Sequence, residues 1–147
     1  NMGLPLQTGR KWDLARKLKI AESTYVNNGI FDYATVVDLM LAKPSVSYNR
    51  FPCVTPAWDN TARRKDGNAI IWHNSSPKLY EYWLNTVVQR ELSNPDSDRI
   101  VFINAWNEWA EGNHLEPCQK WGHAYLEATQ RVLKTAKSSR ESALQQC

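Results

Sequence analysis

The sequence contains few of the residues that build disulfide scaffolds or metal centres. Its 147 residues include only 3 cysteines and 3 histidines. The cysteines are Cys53, Cys118 and Cys147, and their spacing matches no metal-ligand pattern. An odd number of scattered cysteines argues against a disulfide framework and favours a reducing compartment. No signal peptide is recognisable in this stretch, so the cytoplasm is the favoured location, and no metal site is expected.

Strong charge and long apolar runs are also missing. The net charge is +3, from 18 basic and 15 acidic residues, which is too small to indicate a nucleic acid or an anionic membrane as partner. No apolar run reaches the roughly eighteen residues of a membrane-spanning helix. The chain also lacks a glycine-rich phosphate loop and a serine nucleophile elbow. With 42% hydrophobic and 22% charged residues, it has the composition of an ordinary folded protein.

The pattern of apolar residues predicts alternating strands and helices. Short β-branched or aromatic runs predict buried strands, and stripes at helical spacing behind capping residues predict helices. A long polar segment, 57–76, separates two of these elements. The predicted strands are 51–55 and 99–105, and the predicted helices are 33–42, 77–92 and 122–137, with a further helical or partly extended segment at 11–22.

This alternation is typical of an α/β fold with a parallel sheet. Two or three strands cannot be covered on both faces as a self-standing domain, so we expect residues 1–147 to form a single partial domain. Long loops after strands and short turns after helices suit a (β/α)₈ barrel of the TIM type, which needs about 250 residues. Such a part-barrel would leave strand edges unpaired and would favour self-association. The polar tail, 138–147, is expected to fray.

Two carboxylates follow directly on the second predicted strand. Residues 100–117 read IVFINAWNEWAEGNHLEP, with Glu108 and Glu111 three positions apart. If the chain makes one helical turn here, both lie on one face, and paired carboxylates perform acid–base catalysis on glycosidic bonds. The alternative is two surface glutamates in a loop. Polar residues placed at the end of a buried strand favour a catalytic or ligand-binding pair.

The neighbouring residues allow both functional and structural interpretations. Trp106 and Trp109 are either a platform for sugar rings or part of the apolar mouth of the sheet. Asn107 either orients a carboxylate or bonds a sugar hydroxyl, or it satisfies the loop backbone. His114 is a candidate acid–base or hydroxyl-binding group, although a lone histidine more often has a structural role. Glu116 either contacts substrate or holds the loop by bonding backbone amides.

A second group of candidate residues follows the first predicted strand. Residues 56–64 read PAWDNTARR, in which Trp58, Asp59 and Arg63 supply a stacking ring, an acceptor and a forked donor. These side chains are suited to binding sugar hydroxyls or a phosphate. The structural alternative is an ion pair between Asp59 and Arg63 that braces the loop. Because both groups follow strands of one parallel sheet, we expect them at the same edge.

Four stretches of the sequence resemble the WbsX-like proteins, relatives of the endo-α-mannosidases of glycoside hydrolase family 99. The resemblance extends over residues 31–133. It is most specific in the motif Trp-Asn-Glu-Trp-x-Glu-Gly behind a strand. The stretches are PAWDNTARR at 56–64, SPKLYEYWL at 76–84, NAWNEWAEGNHLEP at 104–117 and WGHAYLEA at 121–128.

The resemblance implies a fold, a reaction and roles for the two glutamates. The chain would be the C-terminal part of a (β/α)₈ barrel, with no metal or organic cofactor. Glu108 would act as a base on the 2-hydroxyl of the substrate, which allows a 1,2-anhydro sugar intermediate. Glu111 would be the general acid and then the general base, and the anomeric configuration would be retained. The sequence departs from the hydrolases at Ala110, where they have histidine, and at Cys118, where aspartate is expected.

The candidate residues and the resemblance together imply a protein that acts on an α-linked polysaccharide or oligosaccharide in surface-polysaccharide metabolism. A retaining glycoside hydrolase or transglycosylase is the leading hypothesis. One alternative is a carbohydrate-binding protein, or a barrel fragment, without turnover. Another is a glycosyltransferase of polysaccharide biosynthesis, although no stretch of the sequence resembles a nucleotide-sugar site.

Overall fold

The chain folds into alternating short strands and helices. The structure is a computed structural model that describes residues 28–44, 46–64 and 68–144. The helices are α1 (Tyr33–Leu41), α2 (Pro77–Ser93) and α3 (Ala124–Leu144). The strands are β1 (Gly29–Asp32), β2 (Cys53–Val54), β3 (Ile70–His73), β4 (Phe102–Ile103), β5 (Asn107–Glu108) and β6 (Asn113–His114), with 3₁₀ turns at Thr61–Arg63 and Trp109–Glu111.

Capping residues set the starts of the first two helices, as predicted. Asp32 precedes α1, and its carboxylate accepts a hydrogen bond from the Thr35 amide at 3.1 Å. Ser76 precedes α2 with proline at the first helical position, and its hydroxyl accepts from the Leu79 amide. Helix α3 begins later than predicted and continues to Leu144, into the tail that was expected to fray. The predicted element at 11–22 lies outside the described residues.

Within the described residues, the strands form two parallel pairs and one antiparallel pair. β1 pairs with β3 and β2 pairs with β4, both parallel, so the prediction of a mixed α/β fold with parallel strands is confirmed. β5 and β6 form a small antiparallel pair inside the Trp/Glu segment, which the sequence predicted as a loop. The strands predicted at 51–55 and 99–105 pair only at two residues each, Cys53–Val54 and Phe102–Ile103.

Two strands were missed by the sequence analysis. β3 lies inside the segment 57–76, because its apolar run, Ile70-Ile71-Trp72, is too short to stand out from polar neighbours. β1 begins at Gly29, in a stretch for which no strand was predicted, and it is ordered by pairing with β3 in the register Gly29↔Ile70. Both strands are short and gain their order from pairing with each other, which no local pattern in the sequence records.

The helices pack around the end of β2, from which the first candidate loop emerges. The buried Tyr33 hydroxyl of α1 donates to the Thr55 carbonyl at 2.8 Å. The Tyr80 hydroxyl of α2 and the Thr129 hydroxyl of α3 share a hydrogen bond of 2.9 Å. The Tyr125 hydroxyl of α3 donates to the Pro56 carbonyl. The core therefore fixes where residues 55–56 leave the sheet. No helix in the part of the chain that the structure describes is both long and apolar enough to cross a membrane.

Candidate functional site

The loops that follow β2 and β4 meet at one edge of the parallel pair. The two strands are neighbours in register, with Val54 beside Ile103, so both chains leave in the same direction. The Asp59 amide donates to the Glu111 carbonyl at 2.7 Å, which joins the two loops directly. The structure thus brings together the two groups of candidate residues, as the chain order predicted.

A salt bridge between side chains reinforces this junction. Arg63, in a 3₁₀ turn of the first loop, donates from its guanidinium to Oε1 of Glu111 at 2.5 Å. The Arg63 side chain is 55% exposed, whereas that of Glu111 is only 20% exposed. The alternative of an Asp59–Arg63 ion pair is wrong, because Oδ1 of Asp59 instead accepts from the Thr61 amide at 3.0 Å and the Thr61 hydroxyl at 2.7 Å. Arg63 is therefore available to Glu111.

The two glutamates flank one tight turn. Glu108 ends β5 and occupies the N-cap of the 3₁₀ turn Trp109–Glu111. In a 3₁₀ turn, positions i and i+3 lie above one another, which favours a common face for the two carboxylates. Glu108 is exposed, and its carboxylate makes no hydrogen bond to the described residues. The environments of the two carboxylates therefore differ, since Glu111 is bound by Arg63 and Glu108 is exposed.

Gly112 allows the two loops to approach each other, and sequence reasoning missed it. The residue ends the 3₁₀ turn in the left-handed region, with φ of 55°. A Cβ atom at this position would lie 3.0 Å from both Cβ and the carbonyl oxygen of Asp59. Glycine is thus needed for the backbone conformation and for the space. A glycine directly behind a candidate catalytic carboxylate is the signal that could have marked this position.

Asn60 is a second residue that sequence reasoning missed as a site element. Its buried side chain accepts from the Ile70 amide at 2.8 Å, and its own amide donates to the Ile70 carbonyl. Beside it, the Trp72 amide donates to the Trp58 carbonyl at 2.7 Å. These contacts anchor the first loop to β3, so β3 supports the site although it contributes none of the candidate side chains.

The three candidate tryptophans occupy different environments. Trp58 is half-buried, and its ring centroid lies 6.0 Å from that of Trp72, against the core. Trp106 and Trp109 are 53% and 50% exposed. Their exposed rings are suited to stacking on the apolar faces of sugars, whereas Trp58 chiefly supports the loop. Asn107 is exposed and lies opposite His114 in the β5–β6 pair.

Trp109 is held from two sides. Its ring stacks on His114 at 3.8 Å between centroids, with 18° between the planes. Its indole N–H donates to Oε2 of Glu116 at 2.8 Å. The Glu116 side chain therefore bonds an indole, and the predicted bond from this side chain to backbone amides is wrong. The two contacts fix the ring that follows Glu108 in the chain.

Burial lowers the pKa of His114, although the nearby Glu116 carboxylate opposes this shift. Neither ring nitrogen has a hydrogen-bond partner among the described residues. An imidazole in this position is neutral at pH 7 and acts here as a flat support for Trp109. Groups of three or more His, Cys, Asp or Glu side chains able to hold a metal ion do not occur within residues 28–44, 46–64 and 68–144.

We expect the stability of the fold to depend on His114 in mildly acidic solution. The unfolded chain takes up a proton near the ordinary pKa of 6.5, whereas the folded chain does so only at lower pH. The contribution of neutral His114 to the free energy of unfolding should therefore be complete above about pH 6.5, and it should be lost as the pH falls below this value. Urea unfolding between about pH 5.5 and 7.5 measures this slope.

The matched variants are His114→Phe and His123→Gln. Phenylalanine keeps a flat ring beside Trp109 but cannot titrate, so the slope should become shallower. His123 is exposed, and its replacement should leave the slope as in the wild type. A wild-type slope retained in His114→Phe would contradict the assignment.

Comparison with known proteins gives one family and two curated relatives. A family model described as Glycosyltransferase WbsX matches residues 6–129. The Uncharacterized protein WxcX of Xanthomonas campestris pv. campestris strain B100 is 44% identical over 108 residues, which is 73% of this chain and 15% of that protein. Its counterpart in strain ATCC 33913 matches with the same identity and coverage. The chain thus spans 15% of the length of these relatives. No solved structure matches the chain.

Proposed function

From the premise that the chain belongs to the Glycosyltransferase WbsX family, we propose that its two joined loops form the acid–base centre of a glycan-active site. The substrate is an α-linked polysaccharide or oligosaccharide of the cell surface, and the reaction retains the anomeric configuration. Glu108 and Glu111 carry out the proton transfers. Trp106, Asn107 and Trp109 contact the sugar.

The observation that carries the proposal is the contact between Arg63 and Glu111. It joins residues 48 positions apart in the sequence, and the Asp59 amide binds the backbone of the same glutamate. A surface ion pair contributes little to stability, about 0–1 kcal/mol, so stability alone gives weak reason for this arrangement. Fixing the orientation of a reacting carboxylate is a stronger reason, because acid–base catalysis requires a defined geometry.

The first step forms a three-membered ring on the sugar. Glu108 takes the proton of the 2-hydroxyl, and the resulting oxygen forms a bond to the anomeric carbon. The glycosidic bond breaks, and Glu111 donates a proton to the leaving oxygen. Because Arg63 holds Oε1 of Glu111, Oε2 is the oxygen that carries this proton. The product is a 1,2-anhydro sugar, with no covalent bond to the protein.

The second step reverses the roles of both glutamates. Glu111 takes a proton from the incoming hydroxyl group, whose oxygen attacks the anomeric carbon and opens the ring. Glu108 returns its proton to the 2-oxygen. Two inversions give net retention, and the protein regains its starting protonation state. Ala110 stands where the related hydrolases have histidine, so the sugar and linkage need not be those of the mannosidases.

The nature of the incoming hydroxyl decides between hydrolysis and transfer. Water gives hydrolysis, and a sugar hydroxyl gives transglycosylation by the same steps. The second outcome is compatible with the name of the family. Both reactions differ from the transfer of a sugar from a nucleotide-sugar donor. None of the contacts among the described residues supports such a donor.

The fold that best accommodates this site is part of a (β/α)₈ barrel. Two observations support this assignment. The strands form two parallel pairs with helices between them, and the site lies at the ends of β2 and β4. Residues 1–147 would then be one partial domain of a larger barrel. Self-association follows if the strand edges are not paired within the protein.

Product analysis tests the proposed reaction. The protein is incubated with the surface glycan of its source organism, without a nucleotide sugar, and products are followed by mass spectrometry and NMR. We expect shortened or rearranged glycan chains with the anomeric configuration retained. Products that appear only after a nucleotide sugar is added would contradict the proposal. Binding of the glycan without any product would identify a carbohydrate-binding protein instead.

A further inference from the structure

A groove lies beside the candidate site, between the second loop and the start of α3. Its volume is about 550 Å³, within the range of roughly 300–1,000 Å³ that is usual for ligand sites. Trp109 and His114 line it on the side of the reacting loop. None of the candidate residues predicted from the sequence lies on its other side. The lining residues there include Gln119, Lys120, Trp121 and Tyr125.

Aromatic rings give the groove its shape. The rings of Trp121 and Tyr125 lie 6.4 Å apart at 84°, which makes a corner. The Tyr125 hydroxyl is tied to the Pro56 carbonyl, so this corner is fixed relative to the end of β2. Burial raises the pKa of Tyr125, which therefore remains a neutral phenol at all ordinary pH values. Fixed rings beside open space are suited to stacking on the apolar face of a sugar.

One positively charged side chain lines the groove, while the Glu116 carboxylate, which is not among the lining residues, accepts the indole N–H of Trp109. Among the described lining residues none is Asp or Glu, and Lys120 is the single lysine or arginine. Its ammonium group lies 5.1 Å from the centre of the Trp121 ring, a cation–π contact that holds the charge beside this ring. His114 also lines the groove, and burial keeps its imidazole neutral because it lowers the pKa of this group.

We propose that this groove binds a sugar unit that carries a carboxylate. The sugar lies against the corner formed by Trp121 and Tyr125, and its carboxylate pairs with the Lys120 ammonium beside the Trp121 ring. Because Trp109 and Gly112 also line the groove, the bound unit is a neighbour of the unit that reacts at Glu108 and Glu111. The position relative to the scissile bond rests on the proposed function, whereas binding to the groove is independent of turnover.

The test compares two monosaccharides that differ only in the charged group. Methyl α-glucuronoside carries a carboxylate, and methyl α-glucoside carries a hydroxymethyl group at the same position. Binding to the protein is followed by ligand-observed NMR and tryptophan fluorescence at low salt. A single exposed charge pair predicts that the glucuronoside binds about three- to fivefold tighter. Added salt should reduce this ratio.

Two substitutions separate the charge from the ring. In Lys120→Gln, the two sugars should bind equally, whereas Lys134→Gln, an exposed lysine on α3 outside the groove, should keep the wild-type preference. In Trp121→Ala, both sugars should bind about tenfold more weakly, since an aromatic contact contributes about 1 kcal/mol, provided that circular dichroism shows an intact fold. The Lys120→Gln result stands without the tryptophan variant.

The proposal is overturned if neither sugar binds the wild type, if both bind it equally, or if Lys134→Gln has the effect expected for Lys120→Gln. Glu111→Gln tells this proposal apart from the proposed function. It should lose turnover but keep the preference for the glucuronoside. Turnover retained in Glu111→Gln would end the catalytic assignment and leave the groove assignment intact.

Discussion

Replacing Glu111 with glutamine is expected to lower glycan turnover by about 10²- to 10⁴-fold, the range that one acid–base group contributes. Glutamine keeps the size of the side chain and an oxygen that can accept from Arg63, but it cannot exchange a proton. The protein should remain folded, because the lost ion pair is partly exposed and contributes only about 0–1 kcal/mol to stability. Initial rates on the surface glycan, beside thermal unfolding of both proteins, measure the two effects.

The chain contains a matched control for this experiment. Glu81 of α2 pairs with Arg131 of α3 through hydrogen bonds of 2.7 and 2.8 Å, and it belongs to no candidate site. Glu81→Gln therefore removes a carboxylate–arginine pair of the same kind without touching the proposed chemistry. Its turnover should equal that of the wild type. Comparable turnover in Glu111→Gln and Glu81→Gln would end the assignment of Glu111 as the acid–base group.

Replacing Gly112 with alanine is expected to separate the two loops. The new Cβ would lie 3.0 Å from Cβ and the carbonyl oxygen of Asp59, at a φ of 55° that disfavours alanine. We expect a loss of about 1–3 kcal/mol in the free energy of unfolding. Turnover should fall by about 10²-fold, because a shift of about 1 Å at a reacting group has an effect of this size.

Gly122→Ala is the control for the strain of an alanine in the left-handed backbone region. Gly122 has nearly the same φ, 52°, but an added Cβ would meet no atom within 4 Å. Both variants therefore carry the strain of a left-handed alanine, and only Gly112→Ala adds a clash. Chemical unfolding should show Gly112→Ala to be the less stable, and only this variant should lose turnover. Equal behaviour of the two variants would show that the close contact with Asp59 is unimportant.

Local signals in the sequence predicted the helices better than the strands. The caps Asp32 and Ser76 act within three residues of themselves, so their effect is visible in the sequence alone. β1 and β3 depend on each other for hydrogen bonds across about forty positions, as the register Gly29↔Ile70 shows. Short strands of this kind gain their order from the partner strand, and no local pattern records the partner.

The candidate site shows the same limit at the level of side chains. The residue types and the shared sheet edge were predictable, because both loops follow strands of a parallel pair. The partner of Arg63 was not predictable, since Asp59 is nearer in sequence but is already occupied by Thr61. Gly112 was missed for a related reason, because its need for space arises from a loop more than fifty positions away.

The hydrogen bond from the Asp59 amide to the Glu111 carbonyl provides a spectroscopic marker for assembly of the site. This amide is shielded from exchange with solvent deuterons only while the two loops are in contact. Its exchange rate therefore reports the fraction of molecules in which the loops are apart, in the absence of any substrate. A single backbone proton thus separates two causes of inactivity, a site that has lost its chemistry and a site that has not closed.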